Sequence, residues 1–323
     1  MAEPLRDAPS LSLTIADHVS MEFRLIAAGR FHMGARGEYF DEEPVHTVEI
    51  TQPFYLGIYP VTQEQFAVWR PQHENGFPAN PQHPAENMDW NEANAFCGWL
   101  TKVCVSELPD GYVAGLPSEA QWEHACRLMK TKDGQPFSVD TEYYTGDGEA
   151  ALLEAGWFAT NADSSTQPVG KEKRPTDFGL YDMHGNVDEW CWDDYVADEY
   201  KCRVDGIRDP IFPARDVSER DSNAGRVIRG GSWDNSAWFC RAAYRFRWRP
   251  VDCLRFQGFR VCLFPGPVPS HPAGTGAESE PGSGDAARRQ AAAKSQDPGV
   301  DVAEVDLRRE NLPKRSAGKK FET

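Results

Sequence analysis

Hydrophobic and polar positions recur with a clear period only in the first 130 residues. Residues 21–33 alternate into a strand, turn at Gly29 and alternate into a second short strand; 45–50 and 54–59 give two more. Thr62 with Gln65 forms a capping box that opens a helix burying Phe66 and Trp69. Ala93, Phe96, Cys97, Leu100, Val103 and Cys104 fall at helical spacing over about 91–105. Ser118 with Gln121 opens another helix, with Trp122, Ala125 and Cys126 on its inner face. Beyond that the period fades. Residues 130–175 read as turns, short strands and loops, and 193–223 as a mobile, charged linker.

Composition narrows the class. The chain has 323 residues, 40% of them hydrophobic, with ten tryptophans, enough for a substantial core. From residue 271 on, small, polar and charged residues dominate, and nine basic residues balance nine acidic ones. The net charge of −16 therefore lies in the first 270 residues, with 25 basic against 41 acidic. An acidic globule argues against nucleic-acid binding, which needs a positive field along phosphate. No apolar run is long enough to span a membrane, and the N-terminus lacks the basic start and apolar stretch of a secretory signal, so a cytoplasmic location is expected. The eight cysteines show no CxxC pair, which excludes a zinc framework or a dense disulfide scaffold.

Two stretches carry the candidate chemistry. Residues 226–262 hold eight arginines against Asp234 and Asp252, interleaved with large aromatics and broken by Pro250. Such an irregular segment reads as a binding face, or as arginines pairing with the acids of a loop-rich core; both readings stand. Residues 178–192 (FGLYDMHGNVDEWCW) bend at Gly179, Gly185 and Asn186. Asn186 and Glu189 there could serve the turn's backbone directly or through a hard cation.

Six motifs follow in order: AGRFHMG with DEEPVHTVEITQPFYLGIYPVTQEQF, then PAENMDWNEANAFCGWL, GLPSEAQWEHACR, FGLYDMHGNVDEWCWD, RVIRGGSW and QGFRV. Across residues 21–264 they resemble the formylglycine-generating enzyme (sulfatase-modifying factor) family. The resemblance implies an α+β fold: an embellished C-type-lectin-like single domain over 21–266, loop-rich, with short strands and two or three helices. Residues 1–20 are then a lead-in and 267–323 a disordered tail, too poor in apolar surface to order itself.

Members of the family that make formylglycine bind copper through two cysteines five residues apart. The match places the second on Cys240 and the first on Asn235, with Ser232 as a pocket residue. A soft Cu(I) ion prefers two thiolates to a thiolate and an amide, so copper is not expected. The family's calcium loop matches Gly185, Asn186, Val187 and Glu189. The variable binding proteins of this fold resemble the final region, where Trp238, Phe239, Tyr244, Phe246, Trp248, Leu254 and Phe256 occupy positions between the shared motifs. The expected function is thus a non-catalytic member presenting 233–257, through these residues with Trp233 and Asn235, to a protein or small-molecule ligand. The alternative is a copper-dependent oxidase converting a sulfatase cysteine to formylglycine with Cys240, or another oxidative tailoring enzyme on the same scaffold.

Overall fold

A computed structural model of the chain describes residues 10–37, 39–78, 80–211 and 225–266. The expected tail, and the expected linker from 212 to 223, lie outside the described residues. Within them, short strands gather into three sheets and a small hairpin. The largest sheet has the order β1 (Ser10–Ala16), β2 (Val19–Ile26), β5 (Phe54–Gly57), β14 (Cys262–Pro265), β6 (Tyr112–Gly115). The last described strand thus lies inside the sheet, between β5 and β6, with the first described strand at its edge. β1 corrects the expected lead-in: Ser10–Ala16 pairs antiparallel with β2, and Leu13 is buried in the core.

A three-stranded sheet joins β3 (Gly29–Met33), β4 (His46–Ile50) and the parallel β10 (Ile207–Arg208). A four-stranded sheet runs β12 (Phe246–Trp248), β11 (Arg226–Arg229), β9 (Asp188–Asp194), β13 (Gln257–Gly258). β7 (Leu128–Lys130) and β8 (Pro136–Ser138) make the hairpin.

The helices α1 (Gln63–Trp69) and α3 (Glu119–Arg127) start at the expected Thr62 and Ser118 boxes, and α2 (Trp90–Val103) starts at a third box, Asp89 with Glu92. Each box satisfies amide donors that the first helical turn leaves without partners. Two short helices were not expected: α4 (Glu149–Ala155), which has no side-chain cap, and α5 (Glu199–Cys202).

The expected mobile linker is corrected up to residue 211. Its start belongs to β9, and Glu199 and Tyr200 are buried, with Glu199 paired to Arg203. Of its charges, Asp193 and Glu199 are buried, whereas Asp198, Lys201, Asp205, Arg208 and Asp209 are exposed.

Candidate functional site

The arginines of 226–262 divide cleanly. Arg226, Arg229, Arg241, Arg245 and Arg260 are buried, whereas Arg247, Arg249 and Arg255 are exposed. Each buried guanidinium meets a carboxylate: Arg226 with Asp194, Arg229 with Glu123, Arg241 with Glu42, Arg245 with Glu119 and Arg260 with Glu189. They also donate to loop carbonyls. Arg229 reaches those of Ala242, Ala243 and Tyr244, and Arg260 those of Gly57, Ile58 and Tyr181. An irregular loop can be buried only when its carbonyls find donors, and these side chains supply them.

Around Cys240 the backbone is tightly set. After β11, Gly230 and Gly231 take positive φ (93° and 72°). A Cβ on Gly231 would lie 2.6 Å from Cys240 Sγ, so only glycine lets the turn approach the sulfur. Cys240 ends a short 3-10 turn, Ala237–Cys240, whose carbonyl at Ala237 accepts from the Tyr143 hydroxyl at 2.7 Å. Its side chain is 0% exposed and packs with Tyr143, Leu152 and Phe158, and its Sγ donates weakly to the Ser236 carbonyl at 3.8 Å. His184 fixes the same segment: Nδ1 donates to the Cys240 carbonyl at 2.7 Å while Nε2 accepts from the Tyr144 amide at 3.2 Å. Burial pushes that imidazole down to about 3, which keeps it neutral.

Asn235 is committed to the turn. Its Oδ1 accepts from the Ser232 amide at 3.0 Å and from the Ser232 hydroxyl at 3.2 Å, and its own carbonyl accepts from the Ala159 amide. Ser232, expected as a pocket residue, is 0% exposed. No disulfide joins any of the eight cysteines. This donor set, one sealed thiol and one amide already bonded, does not fit a two-thiolate copper centre.

The calcium loop fares similarly. Glu189 takes Arg260 in a two-pronged pair (Nη2 to Oε1 2.7 Å, Nε to Oε2 3.0 Å) and accepts from the Trp122 indole at 2.8 Å. Asn186 spends its amide on both backbone groups of Gln167, at 3.0 Å each. The side-chain oxygens expected to converge with Gly185 and Val187 on calcium already accept from Arg260, Trp122 and Gln167. The residues present do not fit a calcium shell.

The aromatics expected to face solvent are mostly inside. Trp233, Phe239, Tyr244 and Phe256 are buried, as is Asn235; Trp238, Phe246, Trp248 and Leu254 are half-buried. The surface of 233–257 therefore includes these half-buried apolar groups and exposed Val251 beside Arg247, Arg249 and Arg255. Arg249 is paired to Asp252. Phe77, which sequence reasoning missed, joins them by packing edge-on against Trp233 with ring centroids 5.2 Å apart. It comes from a Pro- and Asn-rich loop with no period to expose it. A cavity of about 640 Å³ opens elsewhere, lined by His32, His46, Asp140, Glu142 and Asp205 among others, and touches the central segment at Arg241 and Ala243. Neither Ser232 nor Cys240 lines it.

Comparison with known proteins agrees with this architecture. The family described as "Sulfatase-modifying factor enzyme 1-like domain" matches residues 16–263. A serine/threonine-protein kinase pkn1 of Chlamydia caviae is 30% identical over 264 residues, 74% of this chain and 37% of that protein. A formylglycine-generating enzyme of Streptomyces coelicolor is 31% identical over 174 residues, 52% of this chain and 46% of that protein. The chain thus spans less than half the length of either. Among solved structures, Treponema denticola variable protein 1 superposes with a TM-score of 0.63 at 26% identity, covering 78% of this chain and 98% of that one. No described helix is long and apolar enough to cross a membrane.

Proposed function

This chain belongs to the sulfatase-modifying factor enzyme 1-like family, and on that premise we propose that it is a recognition module rather than a copper oxidase. One observation carries the reading. At the position of the pair's first thiol stands Asn235, whose Oδ1 holds the Ser232 turn, while Cys240 is sealed beneath Gly231 and an apolar cluster. The metal would need two thiolates in an open cleft; this place offers one enclosed thiol. Recognition falls to the surface of 233–257, where half-buried Trp238, Phe246, Trp248 and Leu254 sit among exposed arginines. Large rings anchored in the core lose little entropy on binding, and arginine beside them is a frequent contact residue. The ligand class is a protein or a small molecule meeting that face.

The test uses the full chain with Cu(I) and a peptide bearing Cys-x-Pro-x-Arg. Neither tight Cu(I) binding nor aldehyde on the peptide is expected. Aldehyde formation that Cys240→Ala abolishes would replace this reading with the oxidase.

A further inference from the structure

Near Trp233 the buried atoms that lack a hydrogen-bond partner include Glu86 Oε2 and Trp157 Nε1, and Glu86 is the carboxyl among them. It is 0% exposed, and it belongs to the segment that leads into α2. Its backbone is fully engaged: the amide donates to Asn75 Oδ1 at 3.2 Å and the carbonyl meets His73 Nε2 at 2.7 Å. Its Oε1 accepts from the Phe77 amide at 3.0 Å. Oε2 lies against Gly76, whose amide approaches the carboxyl but falls outside full hydrogen-bonding geometry. The carboxyl thus sits beneath the 73–77 loop and holds it by one bond at Phe77. That loop, in turn, covers apolar surface: Phe77 packs on the cluster of Trp157, Ala162, Trp233 and Phe256.

We propose that Glu86 is a proton-operated latch: neutral, it stays buried and keeps the 73–77 loop on the Trp233 cluster; ionised, it draws the loop off so that water reaches both. Opening releases the carboxyl proton to solvent. The cost that drives it is the burial of a carboxylate with one oxygen unbonded. The charged groups around it are few. Arg255 faces it from the turn beyond β12, where Arg255 Cβ crowds Gly76, and favours the ionised form. His73 faces it from the loop itself, bonded to its carbonyl, while Glu74 lies on the loop and is bonded through its own carbonyl to Asn87. Desolvation outweighs the Phe77 and Gly76 amides and Arg255 together, and pushes Glu86 up to about 7 from an ordinary 4.5.

The sign follows from linkage. With the closed form binding the proton more tightly than the open one, closure is favoured most below pH 4.5 and loses ground as pH rises to about 7. The open-to-closed ratio then rises by roughly two orders of magnitude between pH 5 and pH 8 and levels off. Regulation of recognition by this latch rests on the proposed recognition role; the latch itself does not.

The experiment reads the loop directly and needs no partner. On the full chain, the Glu86 carboxyl is titrated by carbon NMR, and hydrogen exchange at the Phe77 amide is followed from pH 5 to pH 8, corrected for intrinsic rates. A midpoint near neutrality is expected, with Phe77 protection falling on the order of a hundredfold. The Trp122 amide in α3, bonded to Ser118, should stay protected, and Glu86→Gln should make Phe77 protection independent of pH. Asp89, pushed up to about 6 by burial, titrates in the same range, but the Phe77 amide is bonded to Glu86. A midpoint near 4.5, an unchanged Phe77 amide, an equal loss at Trp122, or the same fall in Glu86→Gln would each overturn the latch. The wild-type titration and Phe77 exchange together decide the matter even if the variant fails to fold. The copper and aldehyde assays test the recognition role separately.

Discussion

Arg260 tests whether the buried guanidiniums hold this fold together. Its side chain makes a two-pronged pair with Glu189 and donates to the carbonyls of Gly57, Ile58 and Tyr181; Arg260, Glu189, Gly57 and Ile58 are buried and Tyr181 is half-buried. Arg260→Met leaves a buried carboxylate without its cation, which costs about 3–5 kcal/mol. A buried carbonyl that loses its only donor adds about 1–3 kcal/mol, and Ile58 adds less because its carbonyl keeps the Tyr181 amide. The sum approaches the whole stability of an ordinary domain, about 5–15 kcal/mol. Arg260→Lys should recover only part of it, because an ammonium has three donors and no planar fork. The discriminating step is the double variant Arg260→Met with Glu189→Gln. The glutamine keeps an acceptor for the Trp122 indole but carries no charge. Urea unfolding at neutral pH should find the double variant more stable than Arg260→Met by roughly 3 kcal/mol, an interaction energy within reach of a double-mutant cycle. If the second substitution instead adds its own loss, the cost did not come from an orphaned charge.

Two further outcomes are expected. Gly231→Ala forces a Cβ to within 2.6 Å of Cys240 Sγ and 2.8 Å of the Phe239 carbonyl at a φ of 72°. It should cost about 2–4 kcal/mol by chemical denaturation, and pairing it with Cys240→Ala should restore part of that. Calcium followed by a chelator should leave the melting temperature unmoved, because Arg260 already neutralises Glu189; a reversible rise would reinstate the calcium site at Asn186 and Glu189.

What could be read in the chain was local. The capping boxes at Thr62 and Ser118 need only residues three apart, so both were legible, as were strands whose side chains alternate. The box at Asp89 used the same chemistry with an acid as cap and was passed over. α4 begins at Gly148 with no side-chain cap, and α5 is four residues long, so neither leaves a pattern. The β1 strand was missed because its burial comes from β2 across a turn, with one fully buried side chain, Leu13. The candidate face was legible only in part for a related reason. In an irregular segment no period separates inward from outward side chains, so Trp233, Phe239, Tyr244 and Phe256 looked like contacts when they are core. The family motifs placed Asn235 and Cys240 but not their enclosure, which depends on Tyr143, Leu152 and Phe158 from a distant loop and helix.

The charge of the chain and the irregularity of its final region are two sides of one physical arrangement. A regular element satisfies its own backbone, whereas a loop threaded through a core must find donors for its carbonyls elsewhere. Arginine is suited to that task, since five N–H groups in a rigid fork serve several carbonyls and a carboxylate at once. Here Arg229 spans Ala242, Ala243, Tyr244 and Glu123, and Arg245 reaches Glu119, Asp41 and Val196. Every such arginine brings a charge inside, and so requires an acid from a separate part of the chain: Glu42 before β4, Glu119 and Glu123 on α3, Glu189 on β9. The acids that make the chain look solvated are therefore partly counter-ions of its loops. A surface carried on such a segment is held rigidly from below, by guanidiniums that take no part in contacting a ligand. Side chains at Trp238, Phe246, Trp248 and Leu254 can then change without unseating the backbone that presents them, whereas a change at Arg229, Arg245 or Arg260 unseats it.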